Sequence, residues 1–320
     1  MSLPNVVFLD RATIPTHIEL PHFPFDHQWI EYDFTSSELV VERLKGAQIV
    51  ITNKVVLDQQ VLSQLPELQL IAISATGFNN VDIDYCRAQG IAVTNVQGYA
   101  TQSVPEHVIG MIFALRRNLH GYHNDIAKGE WQRNQQFCFF THPIGDVAGS
   151  TLGVIGSGAL GLATAALAKA VGMQVIYAEH RGADACREGY LPFEQVLMMA
   201  DVITLHCPLT EATRNLIGEN ELAQMKPGSL LINTGRGGLV DEGALVAALK
   251  HGTIAGAGVD VFTQEPADES NPLLANMDLP NLLLTPHVAW GSDSSIQNLS
   301  NILMDNITAF IEGREQNRVV

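Results

Sequence analysis

Three glycines in six positions carry the first chemistry in this sequence. Gly156-Ser157-Gly158-Ala159-Leu160-Gly161 has the spacing of a dinucleotide-binding turn. The first glycine permits the tight turn, the second lets the backbone approach a pyrophosphate, and the third lets a helix pack close on a strand. The turn follows the apolar run 151–155 and opens a helical pattern, so a pyrophosphate would sit on the helix N-terminus. Glu179 stands eighteen positions after Gly161, at the end of the next apolar run. A carboxylate there accepts hydrogen bonds from the adenosine ribose hydroxyls and repels a 2′-phosphate, which favours NAD. Arg181, two residues on, offers the opposite chemistry, a guanidinium that could pair with that phosphate and admit NADP. A second set is Arg236, Glu265 and His287, each just past an apolar run. Ligands of an open parallel sheet bind at the carboxyl ends of its strands, so all three groups could reach one crevice. A lone histidine or arginine is usually structural; three complementary groups on strand ends read as a catalytic set.

The elements that must position these groups form two α/β series. Runs at 5–9, 47–51, 70–74 and 91–94 are apolar enough for strands buried on both faces, with helical spacing at 36–45 and 58–65 between them. Ser103-Val-Pro-Glu106 reads as a helix start with Ser103 as cap and Glu106 completing a capping box. Residues 116–146 are irregular, with Trp131, Phe137, Phe139 and Phe140, and read as an excursion from the cores and a subunit contact. The second series has strand candidates at 152–155, 175–178, 202–206, 229–233, 257–261 and 282–285, with helices at 160–171 and from 241 to 252. A last helix, about 292–311, is placed back against the first series. The whole predicts an α/β protein of two doubly wound parallel-sheet domains.

Composition narrows the function classes. Of the 320 residues, 46% are hydrophobic and 16% charged, which suits sizeable cores. The net charge of −16 argues against nucleic acid and anionic membranes as partners. No uncharged apolar run reaches membrane-spanning length, and the first twenty residues do not read as a signal peptide. The four cysteines show no metal-ligand spacing, so no metal is expected, and they fit reduced thiols in a cytoplasmic protein.

The motifs together resemble those of the D-isomer-specific 2-hydroxyacid dehydrogenases. The resemblance runs from Ala75-Thr-Gly-Phe-Asn-Asn-Val-Asp82 through the glycine turn, Cys207-Pro-Leu-Thr-Glu-Ala-Thr213, 233–241, Gly258-Val-Asp-Val-Phe262 and Glu265-Pro266 to Thr285-Pro-His-Val-Ala-Trp290. Within the family the glycerate dehydrogenase (hydroxypyruvate reductase) branch looks nearest, partly through Ala289-Trp290. The resemblance implies a Rossmann-type nucleotide domain, 101–288, inserted in a smaller flavodoxin-like substrate-binding domain, 1–100 plus 289–320, with a cleft that closes over substrate. It also implies a homodimer in which 116–146 is the arm and Trp131 enters the neighbour's site. Besides the glycine turn, Glu179, His180 and Arg181, the implied cofactor contacts are Val104, Cys207, Pro208, Thr213, Thr234, Gly235, Arg236 and Asp260, the last holding the nicotinamide amide. Thr101 would border the nicotinamide beside Val104. Substrate would meet Thr76, Gly77, Arg236 and His287.

The implied reaction interconverts D-glycerate and hydroxypyruvate with NAD. Arg236 would fork onto the carboxylate and carbonyl oxygen, His287 would donate the proton, and Glu265 would hold the imidazole in one tautomer. Two alternatives stay open: an NADPH-preferring glyoxylate/hydroxypyruvate reductase, and an NAD-sensing scaffold like the co-repressors that resemble this family. Glu265 stands where the related formate dehydrogenases carry glutamine, which argues against those.

Overall fold

The computed structural model describes residues 3–320, and the chain divides into two compact units, 1–99 with 291–320 and 100–290. The first unit holds five parallel strands: β1 (Asn5–Phe8), β2 (Gln28–Glu31), β3 (Ile49–Thr52), β4 (Leu70–Ile73) and β5 (Ala92–Thr94). Their order is β2-β1-β3-β4-β5, the flavodoxin-like winding. Every residue of β3, β4 and β5 is buried, because helices cover both faces of a parallel sheet. The helix Asp293–Ile311 belongs to this unit and packs on β4, burying Ile296, Leu299, Leu303 and Ile307 at helical spacing. The chain beyond it runs antiparallel along β5: Val319 N donates to Val93 O at 2.7 Å, Asn95 N donates to Asn317 O, and Thr94 bridges Arg318.

The second unit holds seven parallel strands: β6 (Thr151–Ile155), β7 (Gln174–Ala178), β8 (Tyr190–Leu191), β9 (Val202–Leu205), β10 (Leu230–Asn233), β11 (Gly256–Val259) and β12 (Leu282–Leu284). The order β12-β11-β10-β9-β6-β7-β8 is a Rossmann winding with one strand added after the sixth. Its strand order reverses between β6 and β9, so the ligand crevice of this sheet opens at the loops after those two strands. The core is formed by Val196, Leu197, Ile203, Leu205, Leu231, Leu245 and their neighbours.

Two sequence expectations need correction. The helix Ser103–Arg116 has Gln102 at its N-cap, and Ser103 does not cap it. The Ser103 hydroxyl instead donates to the Trp290 carbonyl at 3.1 Å. The excursion at 116–146 is also more ordered than its composition suggests. It contains the helices Leu119–Ala127 and Glu130–Asn134, and Tyr122 Oη donates to the His142 carbonyl to close the loop that follows.

Candidate functional site

The glycine turn is built for close approach. Gly156 lies at φ +96°, in the left-handed region, and a Cβ there would meet Cys207 N at 2.5 Å. A Cβ on Gly161 would stand 2.0 Å from the Gly156 carbonyl, so the helix Ala159–Ala170 can seat on β6 only with glycine at that place. Gly158 is the N-cap and nothing in the protein lies within 4 Å of where its Cβ would be. The first N–H groups of a twelve-residue helix therefore face open space at the switch point, which fits a pyrophosphate. Thr234, after β10, has its hydroxyl buried without a hydrogen-bond partner among the described residues, an orphan suited to the same cofactor. Cys207 lines the turn after β9 as a thiol whose pKa burial pushes up, so it stays neutral. Thr213 works one step back: its hydroxyl donates to the Pro208 carbonyl at 2.8 Å and accepts from Thr210 N, shaping the loop. Val104 is buried in the first turn of its helix.

The ribose corner differs from the sequence expectation. Glu179 is only 5% exposed, and its carboxylate is fully engaged inside the protein. Arg187 grips it as a fork, Nε to Oε2 at 2.8 Å and Nη2 to Oε1 at 2.9 Å, and adds its backbone N–H at 3.0 Å. His180 contributes its backbone N–H at 2.9 Å and Nδ1 at 2.7 Å. The Arg187 side chain first, then the backbone N–H groups of Arg187 and His180, hold this carboxyl far below the usual carboxylate range. Arg181 is not beside it: its guanidinium pairs with Glu221 at 2.8 Å. Arg187 escapes sequence reasoning because it lies in a loop, 182–189, with no periodicity and no motif spacing to Glu179.

The second set comes from three adjacent strands. Arg236 follows β10, Glu265 follows β11 and His287 follows β12, and strands in a sheet lie about 4.8 Å apart. The three loops therefore leave the sheet along a front of about 10 Å. His287 Nδ1 and Glu265 Oε2 are 2.7 Å apart, and Glu265 Oε1 accepts from Phe262 N at 2.9 Å, which fixes the carboxylate from behind. Arg236 is exposed, and its loop is pinned by the Asn233 side chain, which donates to the Arg236 carbonyl and accepts from Gly235 N.

Asp260 anchors the turn that carries His287. It is fully buried, and the chain around His287 is wrapped onto it. Thr285 Oγ1 donates to Oδ1 at 2.5 Å, Val288 N to Oδ1 and Ala289 N to Oδ2, both at 2.9 Å, and His287 N to its carbonyl at 2.7 Å. His107, also absent from the sequence reading, braces this turn with Nε2 3.1 Å from Thr285 Oγ1. Held this way, His287 sits at φ +55°, a conformation unusual for a non-glycine residue, and Trp290 Nε1 donates to its carbonyl at 2.9 Å. Asp260 thus anchors the imidazole-bearing turn. In the first unit, Thr76 Oγ1 donates to the Val96 carbonyl at 2.7 Å and shapes the loop that contains Gly77.

Comparison with known proteins identifies the family. The model of the D-isomer specific 2-hydroxyacid dehydrogenase NAD binding domain matches residues 109–289. The chain is 50% identical to the glycerate dehydrogenase of Methylorubrum extorquens over 316 residues, 98% of each protein. It is 35% identical to the hydroxypyruvate reductase of Blautia hydrogenotrophica over 299 residues, 91% of each. Among solved structures, the Aquifex aeolicus D-lactate dehydrogenase complexed with NAD and lactic acid aligns at a TM-score of 0.81 and 30% identity, covering 97% of this chain and 96% of that one. This chain therefore belongs to the D-isomer-specific 2-hydroxyacid dehydrogenases, a family of NAD-dependent oxidoreductases.

Proposed function

We propose that the protein interconverts hydroxypyruvate and D-glycerate with NADH, as a cytoplasmic homodimer. The observation that carries the reaction is the 2.7 Å pair of His287 and Glu265 at the strand ends; the near full-length likeness to a glycerate dehydrogenase supports the substrate. Reduction of a 2-keto acid needs the carboxylate held, the carbonyl polarised and a proton delivered to its oxygen. Arg236 offers a planar fork of donors to the carboxylate and the carbonyl oxygen. His287 keeps Nδ1–H on Glu265, so Nε2 gives its proton to the oxygen as the carbonyl is reduced, and Glu265 stabilises the imidazolium before transfer. Bound NADH supplies the hydride to the carbonyl carbon. In the reverse direction neutral His287 takes the hydroxyl proton at Nε2.

The homodimer rests on the arm at 116–146, where Phe137 and Phe140 are 90% and 78% exposed and Trp131 is 45% exposed. Free cysteines support the cytoplasm. The test is absorbance at 340 nm with hydroxypyruvate, glyoxylate and pyruvate, each with NADH. Hydroxypyruvate is expected to have the highest kcat/KM. A higher value with pyruvate or glyoxylate would reassign the substrate.

A further inference from the structure

The ribose corner carries more information than a single carboxylate would. A carboxylate has about four lone-pair directions. Glu179 already faces five N–H donors, two from His180 and three from Arg187. A ribose diol can bond to Glu179 only by displacing one of them, and the side chains free to move are those of exposed His180 and half-exposed Arg187. Displaced or not, the guanidinium is kept at this corner. It lies 3.9 Å over the Tyr190 ring, and Tyr190 Oη donates to Ser157 Oγ inside the glycine turn at 2.5 Å. A lone carboxylate would reject a 2′-phosphate by charge. Here the pair sums to zero, and a fork matched to phosphate stands beside the position a 2′-substituent would take. Arg181, the other arginine of this loop, is committed to Glu221.

We propose that Arg187 is the specificity-determining residue of the adenosine ribose site: paired with Glu179 it cancels the charge that excludes a 2′-phosphate, so the protein binds both NADH and NADPH. The cation lets the site serve two cofactors. With NADH, the side chain of His180 or Arg187 swings off Glu179 and leaves its lone pairs to the ribose hydroxyls; with NADPH, Glu179 stays paired and the remaining guanidinium N–H groups take the phosphate. This rests on the dinucleotide-binding role of the glycine turn and is independent of which 2-keto acid is reduced.

The test is calorimetric titration of the full-length protein, free of acid substrate, with NADH and with NADPH. Wild type is expected to bind both, with Kd values within about tenfold of each other, less than the span of one strong charge-assisted hydrogen bond. Arg187→Ala exposes the Glu179 charge. It is expected to weaken NADPH about tenfold or more while leaving NADH unchanged or tighter, and Arg187→Lys, which keeps the charge, is expected to fall between. Opposite movement of the two nucleotides cannot come from misfolding, which weakens both. Parallel weakening of both in Arg187→Ala, no change in either, or wild type that binds NADH and not NADPH would each overturn the assignment. Binding of neither nucleotide to wild type would overturn the assignment and the role of the glycine turn together. NADH binding without hydroxypyruvate reduction would overturn the substrate proposal alone.

Discussion

His287 owes its position to backbone as much as to side chain. Its left-handed φ is sustained by the turn wrapped on Asp260, so the imidazole is aimed before any ligand arrives. Asparagine tolerates that region, which makes His287→Asn a cleaner deletion of the proton donor than alanine. This variant is expected to lower kcat for hydroxypyruvate reduction by about 10²–10⁴-fold with the Kd for NADH unchanged. A near-normal kcat would remove His287 from acid/base duty. Glu265→Gln keeps the shape but cannot stabilise an imidazolium. The kcat for hydroxypyruvate reduction is expected to fall with the Kd for NADH unchanged; a kcat equal to wild type would refute that role for Glu265. The sequence made His287, Glu265 and Arg236 legible because each follows an apolar strand in a recognisable motif. What Asp260 and Glu179 do was not legible. Their positions are motif positions, but their partners, Val288 and Ala289 for one and Arg187 for the other, are set by tertiary packing.

At the scale of elements, the fully buried strands read plainly, since β3, β4, β9 and β10 are continuous apolar runs. Two of the edge strands did not. β2, Gln-Trp-Ile-Glu, is mostly exposed, and β8 is two residues long, so neither shows a run or an alternation. The arm helices were missed for a related reason: with little core to face, their apolar residues follow no stripe. An element-level consequence concerns His206, which follows β9 and lies against the glycine turn, its Nε2 3.0 Å from Thr204 Oγ1. Burial pushes its pKa down to about 4. An unfolded chain takes up that proton near pH 6.5, so between about 6.5 and about 4 the unfolded state binds more protons and stability falls as pH falls. The shift corresponds to something on the order of 3 kcal/mol. The melting temperature of wild type should therefore drop by several degrees over that window, and His206→Asn should flatten this part of the curve. Parallel curves for the two proteins would place the acid sensitivity elsewhere.

At the scale of the whole molecule, two independent parallel sheets divide the labour, and each has its own apolar core. Among the described residues, the arm is the one segment whose large aromatics face outward in sequence proximity, and the proposed dimer gives them a partner. Sedimentation is expected to give about twice the 34.7 kDa of one chain. Phe137→Ser combined with Phe140→Ser is expected to shift the protein toward monomer. A wild type that sediments as a monomer would remove the arm assignment. One smaller feature acts at this scale too. The chain end lying along β5 occupies the ladder of backbone donors and acceptors that an outermost strand otherwise leaves open. The opposite border, β2, is four residues long and ends in the charged Glu31. A sheet closed on one side by its own tail and kept short and charged on the other gives a stray strand nowhere to add, which guards these buried Val/Ile/Leu runs against the fibrous self-association to which such sequences are otherwise prone.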